Sequence, residues 1–307
     1  MSAHTPADLQ KYGWLSLGVS VVVFGIKIVA FALTGSVGLL SDALESTVNI
    51  VAALVAIVAL RTASKPGDAE HHYGHGKAEY FSALVEGVMI FVAALLIIYT
   101  AVERLINPRE LEQLGIGLAI SVVASAINGA TAVLLIRAGR RHRSIVLEAD
   151  GKHLMTDVWT SAGVIVGVAL VAVTGWQVLD PLIAIVVALN IVFTGAMLIR
   201  NSTAGLMDSA LPESDHQIIL DILQRTANDE ISFHAVQTRA SGRQRFVSMH
   251  VLVPGGWSVQ RGHDVVCDLE DELHAALDNL TVQTHVEPRE DPRSWEDVPP
   301  GGLDAAL

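Results

Sequence analysis

Two polar stripes interrupt long apolar segments of this 307-residue chain. In each stripe three polar residues recur at positions i, i+3 and i+7, which keeps them on one face of a helix. An ionisable side chain costs about 2.5–3.5 kcal/mol at the centre of a bilayer, so it is expected to face a polar partner or a pathway. The stripes consist of Asp42, Glu45 and Asn49, and of Asp150, His153 and Asp157.

Four of these residues have donor atoms that could meet at one ion: Glu45, Asn49, His153 and Asp157. Carboxylate, amide and imidazole groups together suit a divalent metal with a borderline preference for nitrogen and oxygen. The alternative is that the side chains pair with one another or with the backbone and only hold the helices together. The matched spacing on two segments favours a metal site. Asp42 and Asp150 lie nearer the ends of their stripes, where they cap, hydrate or guide an ion.

A polar segment between the second and third apolar runs, residues 67–79, has the sequence GDAEHHYGHGKAE. Asp68, His71, His72 and His75 supply carboxylate and imidazole groups at metal-ligand spacing, and the glycines allow a short loop to fold around an ion. A polar linker would have a similar composition. The density of histidines favours a second metal site in this loop.

The composition predicts a membrane domain followed by an acidic soluble domain. The chain is 51% hydrophobic and only 17% charged, which is too apolar for an ordinary soluble protein. Residues 1–207 hold 14 acidic and 13 basic residues, whereas residues 208–307 hold 18 and 7. The acidic part argues against a nucleic-acid partner and is compatible with binding cations.

Six apolar runs are long enough to cross about 30 Å of hydrocarbon, which takes about 20 residues each. They lie near 12–34, 38–60, 81–104, 114–136, 153–175 and 179–200. Basic residues are concentrated in the connections between runs two and three and between runs four and five. The positive-inside rule then places both termini in the cytoplasm. The expected fold is a polytopic α-helical membrane protein with six transmembrane helices.

The pattern after residue 207 is that of a small cytoplasmic α/β domain in the order α-β-β-α-β, ending near residue 287. The tail, residues 288–307, is acidic and rich in proline, so it is predicted to be disordered. Candidate ligands are spread over two strands, a helix and the segment after the last strand: His234, His250, His263, His285 and Glu287. Their spacing alone does not indicate that they meet, and scattered surface histidines are the default interpretation.

Five short motifs in order resemble those of the cation diffusion facilitator family, of the bacterial YiiP-like type. They are SDALESTVN, YGHGKAEYFSAL, HLMTDVW, LDPLIAI and MDSALPE. The resemblance covers nearly the whole chain. It implies a homodimeric secondary transporter of the inner membrane that moves Zn²⁺ or related divalent ions out of the cytoplasm in exchange for protons.

The resemblance also implies roles for particular residues. Glu45, Asn49, His153 and Asp157 match the family's transport site, and Asp68, His71 and His75 match its loop site. The five candidates of the soluble domain match a cytoplasmic site at the dimer contact between two ferredoxin-like modules. A structural pair at the membrane exit would consist of Lys77 and Asp208.

Two residues depart from the family pattern. Glu45 stands where the family commonly has histidine or aspartate, and Asn49 stands where it commonly has aspartate. With a neutral imidazole the four ligands carry a formal charge of −2, which balances a divalent ion. Three of the four supply oxygen, which tilts preference from Zn²⁺, the first expectation, toward Fe²⁺ or Mn²⁺.

The predicted function is export of Zn²⁺, Fe²⁺, Mn²⁺, Co²⁺ or Cd²⁺ in exchange for protons, in a membrane protein that is not an enzyme. A metal-sensing or scaffold protein of the same family without transport is the alternative. A membrane-embedded metallohydrolase is less favoured, because the chain contains no HExxH or comparable catalytic motif.

Overall fold

A computed structural model describes residues 7–34, 37–107 and 115–296. These residues form two compact units, which divide between Ala204 and Gly205. The division falls three residues before the boundary predicted at residue 207. Each unit is described separately below.

The first unit is a bundle of six helices of 27 to 30 residues. They are α1 (Ala7–Thr34), α2 (Val37–Ala63), α3 (Ala78–Ile106), α4 (Gly115–His142), α5 (Ile145–Thr174) and α6 (Leu179–Leu206). At 1.5 Å per residue the shortest is about 40 Å long, which exceeds the hydrocarbon core of a bilayer. Residues 108–114 lie outside the described part of the chain. They include residue 114, at which the fourth predicted segment begins.

Five of the helices are long and apolar enough in their described residues to cross a membrane: α1, α2, α3, α4 and α6. Large apolar side chains point outward from this bundle, as on Val58, Leu96 and Phe193, each more than half exposed. Such an outer surface suits contact with lipid. Helix α5 has the predicted length but is not among the five, so the count of six spans stays a prediction.

Two apolar cores hold the bundle together, and α5 takes part in both. Leu147 and Leu154 of α5 pack with buried residues of α1, α2 and α4. Ala149, on another side of the same helix, packs with Ile90 of α3 and Leu198 of α6. Helices α4 and α5 approach closely, since a Cβ at Gly151 would lie 2.9 Å from the carbonyl oxygen of Ala132. The packing therefore fixes the rotation of α5, and with it the direction of its polar stripe.

The second unit is a small α/β domain. Its elements are α7 (Glu213–Thr226), β1 (Ser232–Ser241), β2 (Gln244–Val253), α8 (Val259–Ala276) and β3 (Leu280–Pro288). Strands β1 and β2 are antiparallel and joined by a tight turn, whereas β2 and β3 are parallel with α8 as the crossover. The sheet order is β1-β2-β3. The elements of this unit follow the predicted order α-β-β-α-β.

One face of the sheet forms the core of the domain. Val247, Met249 and Val251 of β2 are buried with Ile219 of α7 and Leu273 of α8. Because side chains alternate along a strand, the residues between them face the opposite side of the sheet. That second face carries the four candidate ligands that lie on strands: His234, His250, His285 and Glu287.

The end of the domain differs from the prediction. The tail from residue 288 was expected to be disordered, but Pro288 ends β3 and Pro292–Trp295 forms a 3-10 turn. The indole nitrogen of Trp295 donates a hydrogen bond to the carbonyl oxygen of Arg289, and the Ser294 hydroxyl donates to that of Pro288. These local contacts order the segment despite its polar composition. Residues 297–307 of the predicted tail lie outside the described part of the chain.

Candidate metal sites

Three of the four predicted transport ligands meet inside the bundle. Asn49 of α2 and His153 of α5 are buried, with 3% and 6% of their surfaces exposed, and Asp157 of α5 is half-buried. The Asn49 amide nitrogen Nδ2 donates to Asp157 Oδ2 at 2.5 Å, and Asn49 Oδ1 lies 2.8 Å from His153 Nε2. The periodicity of two helices thus brings oxygen and imidazole donors together in a space that is largely closed to water.

The hydrogen bonds assign the proton on His153. An ionised carboxylate only accepts, so the Asn49 amide group must turn its nitrogen toward Asp157 and its oxygen toward His153. The contact between Asn49 Oδ1 and His153 Nε2 then requires a proton on Nε2. Among the described residues, Nδ1 of the ring has no hydrogen-bond partner. In the metal-free protein a proton therefore lies between two atoms that a metal ion would use.

The fourth predicted ligand, Glu45, belongs to α2, one helical turn before Asn49. The side chains of Glu45 and Asp42 lie outside the described part of the chain, so their participation stays a prediction. Asp150, one turn before His153 on α5, is 1% exposed.

Substituting Asn49 by aspartate tests this arrangement. The new carboxylate would face Asp157 at hydrogen-bond distance, and two carboxylates that close share a proton rather than ionise together. We therefore expect Asn49→Asp to bind Zn²⁺ more weakly at low pH and to recover as pH rises, with about one additional proton released per ion. Zinc titration of the purified chain between about pH 6 and pH 8 measures the change. The same pH dependence in parent and variant would contradict a role for Asn49 at the ion.

The loop between α2 and α3 brings together three of its four candidate ligands, Asp68, His71 and His75, and His72 is not in the group. Asp68 Oδ1 lies 3.6 Å from His71 Nδ1, and Asp68 Oδ2 lies 3.4 Å from His75 Nε2. The ligand atoms of the three residues lie within 4.8 Å of one another. More than half of Asp68 and His71 is exposed, whereas His75 is 14% exposed. This cluster is open to solvent, unlike the site inside the bundle.

Backbone geometry shapes the loop. The backbone N–H groups of Glu70 and His71 donate to Asp68 Oδ1, and these bonds lower the pKa of the Asp68 carboxyl below its usual value. A Cβ at Gly67 would lie 2.4 Å from the carbonyl oxygen of His72, and Gly74 has φ +81°, so both positions require glycine. The carboxylate is thus ionised and oriented before any ion arrives.

In the second unit, three histidines form a row across the sheet. His234 of β1 lies opposite His250 of β2, and His250 lies opposite His285 of β3. Glu287 follows His285 by two residues and therefore points to the same face. The row lies on the face away from the two helices. Sequence spacing did not indicate this meeting, because it depends on the register of the strands.

Glu287 is the centre of the cluster. Its Oε2 lies 3.1 Å from His234 Nε2 and 3.2 Å from His250 Nδ1, and its Oε1 lies 3.6 Å from His285 Nδ1. The ligand atoms of His234, His250 and Glu287 lie within 4.8 Å of one another. His234 and Glu287 are buried, while His285 is largely exposed. The cluster thus has a closed end and an end open to solvent.

His263 is the one predicted ligand of this site that the structure does not bring to the cluster. It lies in the first turns of α8, where its ring nitrogens are 3.6 and 3.8 Å from Cys267 Sγ. Partial desolvation and the acidic side chains of Glu270 and Asp264 raise the pKa of the Cys267 thiol, so the thiol is protonated at neutral pH. His263 stays a predicted ligand.

The two residues of the predicted pair, Lys77 and Asp208, lie in different units. Asp208 has φ 58° and accepts a hydrogen bond from Arg239 Nη1 at 3.1 Å within the second unit. Lys77 precedes α3 in the first unit. Their pairing stays a prediction.

Two groups were missed in the sequence, one beside the cytoplasmic cluster and one inside the bundle. The Trp295 ring lies 5.3 Å, centroid to centroid, from the ring of His234, the buried histidine of the cluster. Glu86 is fully buried in α3. A single carboxylate inside an apolar run was the available signal for Glu86.

Long apolar helices with buried metal-ligand side chains, followed by an α/β unit with a second cluster of such groups, define a membrane transporter of metal cations. The chain belongs to the cation efflux family: the family's transmembrane domain matches residues 13–207 and its cytoplasmic domain matches residues 211–289. The family expected from the sequence motifs is thereby confirmed.

Similar proteins extend over nearly the whole chain. A Synechocystis protein described as an uncharacterized transporter is 52% identical over 94% of this chain and 93% of its own length. The cation-efflux pump FieF of Shewanella oneidensis is 30% identical over 89% of this chain and 92% of its own length. FieF of Serratia proteamaculans is 31% identical, over 86% of this chain and 87% of its own length.

Proposed function

We propose that this transporter exports a divalent transition-metal ion, Zn²⁺ in the first place and Fe²⁺ or Mn²⁺ as alternatives, in exchange for protons. The observation that carries the proposal is the convergence of Asn49, His153 and Asp157 in the bundle. These groups suit a borderline or moderately hard ion. Glu45 completes the site as its second carboxylate.

Exchange follows from the position of one proton. A neutral imidazole has one free lone pair, so an ion that binds His153 Nε2 leaves the single ring proton on Nδ1. When a second proton enters at Nε2, the ring becomes an imidazolium, the ion loses that lone pair, and Nε2–H donates to Asn49 Oδ1. Binding of the next ion releases this second proton. An unperturbed imidazole changes its charge near neutral pH, which makes histidine suited to this role. Metal and proton are thereby coupled without a separate device.

The loop site and the cytoplasmic cluster serve ion capture and dimer assembly. The exposed loop ligands Asp68 and His71 are placed to capture ions from the cytoplasm. The histidine cluster of the second unit binds ions at a contact between two copies, so that rising metal stabilises a homodimer. The protein lies in the lipid of the inner membrane with both termini in the cytoplasm, as the basic connections favour. It acts as a transporter and not as an enzyme.

Reconstituted vesicles test the proposal. Purified protein is incorporated into vesicles with an imposed pH gradient, and uptake of Zn²⁺, Fe²⁺, Mn²⁺, Co²⁺ and Cd²⁺ is compared with protein-free vesicles. The expected result is ion uptake that depends on the direction of the gradient. Metal binding without uptake of any of the five ions would contradict the proposal and favour a sensor or scaffold.

A further inference from the structure

A tryptophan outside the predicted ligand set extends the row of histidine rings on the sheet. The ring centroids of His285 and His250 lie 5.0 Å apart, and those of His250 and His234 lie 5.0 Å apart. The Trp295 ring follows at 5.3 Å from the His234 ring. Centroid separations of about 4.5–7 Å are those of packed aromatic pairs. Trp295 therefore adds a fourth ring to the row, next to its buried histidine.

The second ring nitrogen of His234 is not held by a hydrogen bond within the described part of the chain. Nε2 of this ring lies 3.1 Å from Glu287 Oε2 and faces the cluster, whereas Nδ1 is buried and has no hydrogen-bond partner among the described residues. A histidine that binds a metal ion almost always donates its other N–H group to an acceptor, which fixes the direction of the ring. At His234, packing has to supply that constraint.

The position of His234 in the sheet makes its ring depend on these contacts. Strand β1 lies at the edge of the sheet, and its pairing with β2 is irregular between His234 and Gln237. Among the described residues, two rings pack against the His234 ring: His250 at an interplanar angle of 77° and Trp295 at 46°. Removal of the indole would leave the histidine with one aromatic neighbour and would expose the part of its ring that the indole contacts.

The segment after β3 holds the indole in place without help from the histidines. The indole Nε1 donates to the carbonyl oxygen of Arg289 at 3.2 Å. The backbone N–H of Arg289 in turn donates to the carbonyl oxygen of Val253, the last residue of β2, at 2.9 Å. Because the indole N–H is engaged in this way, Trp295 meets His234 through its ring alone and leaves the nitrogen lone pair of the histidine free for an ion.

We propose that Trp295 is a positioning residue of the cytoplasmic metal site: its indole fixes the direction of the His234 ring, keeps water from it, and thereby raises the affinity of the cluster for Zn²⁺. The indole supplies by packing what a hydrogen bond to the outer ring nitrogen supplies at other metal sites. The apolar groups around a metal site also control the access of solvent to the ion. The inference rests on the proposed role of the cluster as a metal site.

Cobalt provides the test, because Co²⁺ replaces Zn²⁺ at sites of this kind and its visible absorption reports the number and the geometry of its ligands. Purified full-length protein is titrated with Co²⁺. The spectrum of Glu287→Gln, whose cluster is expected to lose its ion, is subtracted to leave the signal of the cluster. Displacement of the cobalt signal by Zn²⁺ then gives the zinc affinity of the cluster in each variant.

We expect Trp295→Ala to lower the zinc affinity of the cluster by about 10–100-fold, the loss found when an outer partner of a metal ligand is removed, and to change the cobalt spectrum. Trp295→Phe keeps a ring against His234 and is expected to retain most of the affinity and the spectrum of the parent. Val259→Ala removes an apolar side chain of α8 that is 92% exposed, and this control is expected to match the parent. Size-exclusion chromatography checks the folding of each variant.

Three results would overturn the inference. The parent's cobalt spectrum and zinc affinity in Trp295→Ala would show that the indole does not act on His234. An equal loss in Trp295→Ala and Trp295→Phe would show that the aromatic contact is not what holds the histidine ring. A parent protein with no cobalt signal beyond that of Glu287→Gln would remove the cluster as a metal site and the inference with it, a failure of the proposed function that the first two results do not imply.

Discussion

Replacing Asp157 by alanine is expected to abolish metal transport while the chain still folds. Asp157 is the carboxylate of the transport site whose side chain the structure describes. It also accepts the hydrogen bond that orients Asn49. The variant loses one of the two negative charges that would balance a divalent ion, and its amide ligand is no longer held in place. Loss of an outer partner of a ligand alone costs 10–100-fold in affinity, so loss of the ligand itself should cost on the order of 100-fold or more.

Initial rates of Zn²⁺ uptake into vesicles measure this effect. Glu148→Ala is the control, because Glu148 is a carboxylate of the same helix that pairs with Lys152 at 2.9 Å and lies outside the polar stripe. It should transport at the rate of the parent. Uptake by Asp157→Ala at the parent's rate would remove Asp157 from the transport site.

Replacing Glu287 by glutamine should have the largest effect on the cytoplasmic cluster. This carboxylate lies within 3.6 Å of nitrogen atoms of three histidines and is the one negative ligand among them. Glutamine keeps the volume of the side chain but removes the charge that offsets a bound cation. We expect the zinc affinity of this cluster to fall by at least about 100-fold, with metal-dependent dimerisation lost in parallel.

Competition with a chelator, followed on the full-length protein, would reveal the loss of one class of zinc site. Light scattering of the same samples would report dimerisation. Glu272→Gln serves as the control, because Glu272 is an exposed carboxylate of α8 that pairs with Arg225. If Glu287→Gln retained every zinc site of the parent, the cluster would not be a metal site.

The transport ligands could be predicted because a helix has one period. Residues at positions 49, 153 and 157 fall on faces that the sequence alone defines, and the structure brings these three side chains together. The loop ligands could be predicted equally well, since all three lie within a stretch of eight residues. Local spacing was sufficient in both cases.

The cytoplasmic cluster could not be predicted in the same way. The pairing of β1 with β2 shifts by one residue between His234 and Gln237, where Ala235 has φ 52°. Such a bulge reverses which alternate residues of the strand face the helices. Alternation along β1 therefore does not reveal that His234 shares a face with His250 and His285. The register is a property of the folded sheet.

The hydrophobic pattern of the sequence also does not predict the ordered turn after β3 or the environment of Glu86. Trp295 lies in a polar, proline-rich segment, and its contact with the His234 ring exists only once the sheet has formed. Glu86 was visible as a carboxylate in an apolar run. That its Oε2 has no hydrogen-bond partner among the described residues depends on how the bundle packs, and no spacing rule supplies that information.

The double role of α5 in packing limits how the bundle can move. Its ligands His153 and Asp157 are joined to Asn49 of α2, and both helices contribute to the core shared with α1 and α4. These four helices share one core, which holds the described ligands as a set. The other core joins α5 to α3 and α6. Close-packed interiors exchange between discrete arrangements instead of deforming continuously. A movement of α2 relative to α5 would have to break the hydrogen bonds that Asn49 makes with His153 and Asp157 as well as the packing of the shared core.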